Sequence, residues 1–168
     1  MKDLIAHESI HNEGTIHWLT PPNILEKLGQ FDFDPCACPE PRPWPTAKKH
    51  ISLPDDGLKI EWEGRVWLNP PYGNTKIFSE FMNKMAKHNN GIALVFARTD
   101  TRWFENLVAP HACGLLFLIP RLSFYQPNGE LYPNKAGGPS VLVAYGEDNA
   151  RNIKKSELRG CFCKIVRD

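Results

Sequence analysis

Arg65-Val-Trp-Leu-Asn-Pro-Pro-Tyr72 is the stretch that decides how this chain folds. Val66, Trp67 and Leu68 are β-branched, aromatic and aliphatic, and they predict a short buried strand. Pro70 and Pro71 have no backbone N–H to give to a ladder, so the strand stops and Asn69 to Tyr72 form a stiff loop at its carboxyl end. In open α/β sheets, ligands bind at that end of the strands. The loop offers an amide oxygen, a carbonyl on proline-stiffened backbone and an aromatic ring. This set suits a flat heterocycle with an exocyclic amine: Asn69 Oδ1 and the Pro70 carbonyl each accept one N–H, and Tyr72 stacks on the ring. On four residues alone, a proline-stiffened turn with a packed tyrosine stays open as the alternative.

On the amino-terminal side, Phe31-Asp-Phe-Asp-Pro-Cys-Ala-Cys38 predicts a strand ending at Asp34-Pro35. Small residues after it leave room for a ligand at the backbone; equally, Asp34 caps a turn. Before it, Thr20 as N-cap, Pro21 at the first helical position and Gly29 as stop predict a helix with Ile24, Leu25 and Leu28 on one face. The Thr20 hydroxyl at that helix start suits a carboxylate, or it simply caps. A second strand is expected over 47–53. Pro54-Asp-Asp-Gly57 reads as a turn with Asp55 or Asp56 at its tip, placed to hold a ribose or an adenine amine or merely solvated. There is no G-x-G, so the usual dinucleotide fingerprint is absent.

On the carboxyl side, Ile77, Phe78, Phe81, Met82 and Met85 mark an amphipathic helix. Gly91 to Phe96, Gly114 to Leu118 and Ser140 to Ala144 read as buried strands, and Thr101 to Ala109 as a helix with Trp103, Phe104, Leu107 and Val108 inward. Continuous apolar runs separated by helices predict an α/β fold with a mostly parallel central sheet and helices on both faces. The segment Arg121 to Pro139 breaks this rhythm. Its Arg121, Phe124, Tyr125, Tyr132 and Lys135 suit base stacking and phosphate contact, or a loop whose aromatics pack beneath it.

A chain of 168 residues fits one domain with a real core. We expect a loosely held terminus over 1–14 and a single domain over 15–168. The net charge of +1 excludes a global basic signal, so any nucleic-acid contact rests on a local patch. No apolar run is long enough for a bilayer and no signal-peptide core is present, which makes a cytoplasmic protein the expectation. Five cysteines in a reducing compartment predict free thiols. Cys36-x-Cys38 and Cys161-x-Cys163 offer four thiolates to a zinc ion, but C-x-C is not the usual knuckle spacing, and buried small hydrophobes are the simpler reading. No other cluster suggests a metal.

Asn-Pro-Pro-Tyr is the signature of amino-methyltransferases that use S-adenosylmethionine to methylate N6 of adenine or another planar amine, such as a glutamine side chain. Around Asn69 to Tyr72 lie Trp18-x-Thr20-Pro21, Phe31-x-Phe-Asp34-Pro-Cys-Ala37, Asp56-Gly-Leu58, Trp62-x-Gly64-x-Val-Trp67, Ala97-Arg98-Thr-Asp100-Thr-x-Trp103-Phe104, Arg121-Leu-x-Phe124 and Gly138-Pro-Ser140, in order over nearly the whole chain. Together they resemble the small phage-type Dam family of DNA N6-adenine methyltransferases. The resemblance implies a Rossmann-like methyltransferase fold, S-adenosylmethionine as donor and DNA with a flipped adenine as partner. It also implies the bacterial host cytoplasm if the chain is phage or prophage encoded.

By the same resemblance, Thr20, Pro21, Asp34, Pro35, Cys36 and Ala37 hold the donor's methionine moiety. Asp56, with Asp55 beside it, contacts the adenosine, and Asn69 borders both ligands. Asn69, Pro70, Pro71 and Tyr72 are the catalytic loop. Phe124 stacks on the flipped base, and Arg98, Arg102, Arg121, Tyr125 and Lys135 are the remaining nucleic-acid candidates. The chain has no length for a separate target-recognition domain, so sequence preference is relaxed or supplied by the Arg121 to Pro139 loop. No obligate protein partner is implied. Methylation of RNA adenine or of a protein glutamine, and a catalytically silent DNA-binding module, are the competing readings; the intact Asn69 to Tyr72 loop argues against the silent one.

Overall fold

The computed structural model describes residues 18–166; the expectation for 1–14 lies outside them. The elements run α1 (Pro22–Leu28), β1 (Phe33–Asp34), β2 (Lys49–His50), β3 (Val66–Leu68), α2 (Thr75–His88), β4 (Gly91–Phe96), a π-helical segment (Phe104–Val108), β5 (Gly114–Leu118), β6 (Ser140–Tyr145), α3 (Glu147–Lys155) and β7 (Gly160–Lys164). The strands form one seven-stranded sheet in the order β2-β1-β3-β4-β6-β5-β7.

Side chains alternate across a strand, and the core divides accordingly. Val66, Leu68, Ala93 and Val95 pack on one face with Phe78, Phe81, Met82 and Met85 of α2 and Val108 of the π-helical segment. Trp67, Ile92, Leu94, Leu142 and Ala144 pack on the other with Ile24, Leu25 and Leu28 of α1 and Ile153 of α3. Helices therefore cover both faces, and this is why β3, β4 and β6 read as unbroken apolar runs. Arg65 ties the layers together at the start of β3. Its guanidinium donates to the Leu28 and Gln30 carbonyls at the end of α1, and to Asn149 and Asn152 of α3.

The sheet is mixed rather than mostly parallel. β1 runs parallel to β2 and to β3, and β3 parallel to β4. β6, however, is inserted between β4 and β5 antiparallel to both, and β7 is antiparallel to β5. The longer ladders are thus antiparallel, although β1 to β5 share one direction. An apolar run reports that a strand is buried on both faces and says nothing of its direction. The second strand is shorter than the 47–53 expected, because the ring of His50 accepts the backbone N–H groups of Thr46 and Ala47 at 3.1 Å each and bends them into a turn. The N-cap of α1 is Pro21, with Pro22 following it, so Thr20 lies one residue too early to cap. The helix expected over Thr101 to Ala109 forms over 102–108, with Phe104–Val108 wound as a π-helix.

From β1 the chain steps outward to β2 and then returns to the other side of β1 as β3. The loops leaving the carboxyl ends of β1 and β3 diverge at this reversal, which is where an open α/β sheet leaves a crevice. No described helix is long and apolar enough to cross a membrane.

Candidate active site

A cavity of about 780 Å³ fills that crevice. Its walls are the loop after β1 (34–38), the loop after β3 (69–74), the turn at 51–59, the segment 18–20, and Phe124, Tyr132 and 134–137 from the long loop. The volume lies within the range of cofactor and substrate sites.

Asn69 sets the chemistry. Its Nδ2 donates to the Trp18 carbonyl at 3.1 Å. Only the amide nitrogen can donate to a carbonyl, so the side-chain orientation is fixed and Oδ1 is turned the other way. Oδ1 is buried and has no hydrogen-bond partner among the described residues. Thr20 Oγ1, on the same cavity wall, is also buried without one. Leaving such a group unsatisfied costs on the order of 1–3 kcal/mol, so two of them on residues that line one cavity mark where a polar ligand would be satisfied.

The two loops are tied together by Cys36, whose Sγ donates to the Asn69 carbonyl at 3.2 Å. Burial pushes the Cys36 thiol well up, which keeps the S–H that this contact needs. Asp34 is 3% exposed. One of its oxygens accepts the Cys36 N–H at 3.0 Å and the other accepts the Thr46 hydroxyl. These bonds cap the turn at Pro35 to Ala37, and Asp34 itself stands in the cavity wall. Burial raises its carboxyl to about 6, against the pull of both hydrogen bonds.

Tyr72 packs its ring at 4.8 Å from Phe96 and 5.5 Å from Phe78, and its hydroxyl donates to the Leu94 carbonyl at 3.3 Å. The ring is pinned by its edge and lines the cavity. Pro70 and Pro71 stiffen the wall beside it. At the turn, Asp56 is occupied: Oδ1 accepts the Leu58 N–H at 2.9 Å and Oδ2 lies 3.5 Å from Lys59 Nζ. The Asp55 carboxylate lines the cavity and has no partner among the described residues.

Not every candidate converges here. Phe124 and Lys135 line the cavity. Tyr125 does not; its backbone pairs with Leu19 and its ring stands edge-on to Trp44 at 5.1 Å. Pro21 is buried at the start of α1. Arg98, Arg102 and Arg121 are exposed and lie outside the cavity, Arg102 on a shallow neighbouring cleft. Trp18 stands in the sequence reading only as part of Trp18-x-Thr20-Pro21; that its carbonyl orients Asn69 has no local signal, because the two lie 51 residues apart.

The four-thiolate zinc site does not form. Cys36 and Cys38 follow β1, Cys161 and Cys163 lie on β7, and β3, β4, β6 and β5 stand between. Cys161 and Cys163 are also exposed, so for these two the buried-hydrophobe reading fails. They occupy an edge strand whose pattern is mostly exposed.

Residues 9–154 match the family described as DNA N-6-adenine-methyltransferase (Dam). A protein named DNA N-6-adenine-methyltransferase from Escherichia phage T1 is 34% identical over 94 residues, covering 52% of this chain and 38% of that protein. The match thus spans well under half of the relative's length. No solved structure matches the chain.

Proposed function

The chain belongs to the DNA N-6-adenine-methyltransferase (Dam) family, and from that premise we propose that it transfers a methyl group from S-adenosylmethionine to N6 of a flipped adenine in DNA. The observation that carries this reading is the buried Asn69 Oδ1, without a partner among the described residues, on a residue that lines the cavity with Pro70. Two acceptors at adjacent residues match the two N–H bonds of an exocyclic amine.

When bound, S-adenosylmethionine supplies an already electrophilic methyl group. What the chain adds is alignment and electrostatics. Asn69 Oδ1 and the Pro70 carbonyl accept the amine's hydrogens, draw its lone pair out of ring conjugation and stabilise the positive charge that grows on nitrogen. Tyr72 offers a ring held in place by its hydroxyl, and Phe124 a second aromatic surface from the long loop. On the donor side, the Thr20 hydroxyl has an unspent donor and acceptor. Asp55, rather than Asp56, has the carboxylate free to accept hydrogen bonds from a ribose. Asp34 and Cys36 hold the wall between the two ligands.

The fold supports the same reading. Five strands of one direction, with the cavity at their carboxyl ends beside the chain reversal, are what a Rossmann-like methyltransferase sheet requires. We read the described residues as one methyltransferase domain, with any sequence preference supplied by the Arg121 to Pro139 loop.

The test offers radiolabelled S-adenosylmethionine with duplex DNA, RNA and protein in parallel, followed by nucleoside analysis. Label in DNA as N6-methyladenine is expected. Label confined to RNA or protein, or no label at all, overturns the proposal.

A further inference from the structure

Lys84 lies on α2 behind the turn that walls the cavity, and does not itself line the cavity. It donates to the carbonyls of Gly57 at 3.3 Å and Leu58 at 2.7 Å, and to that of Ile60. An ammonium has three hydrogens; here all are spent on the backbone oxygens of residues 57, 58 and 60 and none on a carboxylate. The same Nζ sits 5.4 Å from the centre of the Trp62 ring, and Trp62 Nε1 donates to the Gly57 carbonyl at 2.8 Å. On the opposite side the turn is pressed against the cavity wall: a Cβ on Gly57 would lie 1.8 Å from the Pro35 carbonyl oxygen.

The turn's own hydrogen bonds are local, from Asp55 N–H to the Ser52 carbonyl, from Lys59 N–H to the Asp56 carbonyl, and from Leu58 N–H to the Asp56 side chain. Such bonds shape a turn without placing it. Ala37 N–H holds the start of the turn at the Ile51 carbonyl, 2.9 Å away, and among the described residues the hydrogen bonds that reach the carbonyls of residues 57–60 from outside come from Lys84 and Trp62. The residues that this clamp presents to the cavity are Asp55 and Asp56.

We propose that Lys84 is a positioning residue for the methyl donor: it fixes the Asp55 to Leu58 turn at the cavity and so sets the affinity for the donor's nucleoside half. The inference rests on the proposed function. It also makes α2 a shared strut. The helix begins at the Asn74 cap just after Tyr72, on the target side, and reaches the donor side through Lys84.

The experiment compares wild type, Lys84→Met, which keeps the stem and loses the three donors, and Lys84→Arg, which keeps charge and donors. S-adenosylmethionine affinity is read by calorimetry, DNA affinity by anisotropy, and transfer rate at saturating donor by single turnover, all well below each protein's melting temperature. Lys84→Met is expected to weaken donor binding and raise its KM about tenfold or more, since hydrogen bonds from a charged group are lost. Rate at saturating donor and DNA affinity should stay near wild type, and Lys84→Arg should recover part of the donor affinity. In an Asp55→Ala background the Lys84→Met change should add little, because residues acting through one contact are not additive.

Unchanged donor affinity in Lys84→Met overturns the proposal. So does a parallel fall of affinity and saturated rate with no rescue by arginine, which is a merely structural role, and so does full additivity with Asp55→Ala. A wild-type protein that binds no donor removes the proposed function, and Lys84's role with it. A wild type that binds donor while Lys84→Met binds equally removes only the latter.

Discussion

Replacing Asn69 by alanine removes two atoms with opposite consequences, and the structure predicts that stability and activity part company. Nδ2 makes one neutral hydrogen bond, to the Trp18 carbonyl at 3.1 Å; losing it costs on the order of 1 kcal/mol. Oδ1 is buried without a partner, and deleting an unsatisfied buried acceptor returns a similar amount, about 1–3 kcal/mol. By these figures the net change in folding stability lies between about zero and about 2 kcal/mol of gain. Transfer is different. Oδ1 is the preorganised acceptor for an amine that becomes positive in the transition state, and removing one such contact commonly costs about 100- to 1000-fold in rate. Thermal melts and single-turnover methylation on the same preparations, with donor binding measured alongside, test this directly. Expected are a melting temperature at or above that of wild type, donor binding largely kept, and transfer down by at least about two orders of magnitude. Asn69→Asp should be no better, since a carboxylate cannot donate to the Trp18 carbonyl and is repelled by it. Full activity in folded Asn69→Ala, or activity that falls only as folded protein is lost, would refute the reasoning.

Tyr72→Phe keeps the ring between Phe78 and Phe96 and loses one long hydrogen bond, so most transfer activity should survive, whereas Tyr72→Ala should lose activity and also about 3–5 kcal/mol of stability; equal activity in the two variants would contradict the role of the ring. Asp34 titrates at about 6 in the folded protein against an ordinary 3.8, so the folded state binds that proton more tightly. Its stabilising contribution is complete below about pH 4 and is lost as pH rises through about 6, by at most about 3 kcal/mol. Asp34→Asn should flatten that fall in urea midpoints measured from pH 4 to 6, and identical pH profiles would count against it. Arg102→Gln should lower the slope of log DNA affinity against log salt by about one while leaving donor binding unchanged; an unaltered slope would remove Arg102 from the DNA interface.

The central loop was legible because its determinants are local. Val66-Trp-Leu68 predicts a buried strand by residue type, and Pro70 and Pro71 end it by lacking donors, wherever the rest of the chain goes. The amphipathic α2 was legible for the same reason, as its apolar spacing is a property of one helix. Most of the cavity-lining candidates were legible too, because strand-end loops and turns announce themselves by proline, glycine and aspartate. α3 and β7 were not assigned from sequence: α3 is short and one-sided but buries only Ala150 and Ile153 as apolar residues, and β7 is a largely exposed edge strand.

By itself, then, the sequence determined where buried strands stop, which loops are stiff, and which side chains stand at their ends. Only the tertiary structure decided the rest, since each remaining point depends on groups far apart in the chain. The reversal of β6 between β4 and β5 is invisible in an apolar run that looks the same in either direction. The orientation of Asn69 comes from a carbonyl at residue 18, and the place of the acidic turn from an ammonium at residue 84. Asp34 became a cap and Asp55 the free carboxylate because hydrogen-bond partners are allotted by three-dimensional reach, which residue type alone does not specify.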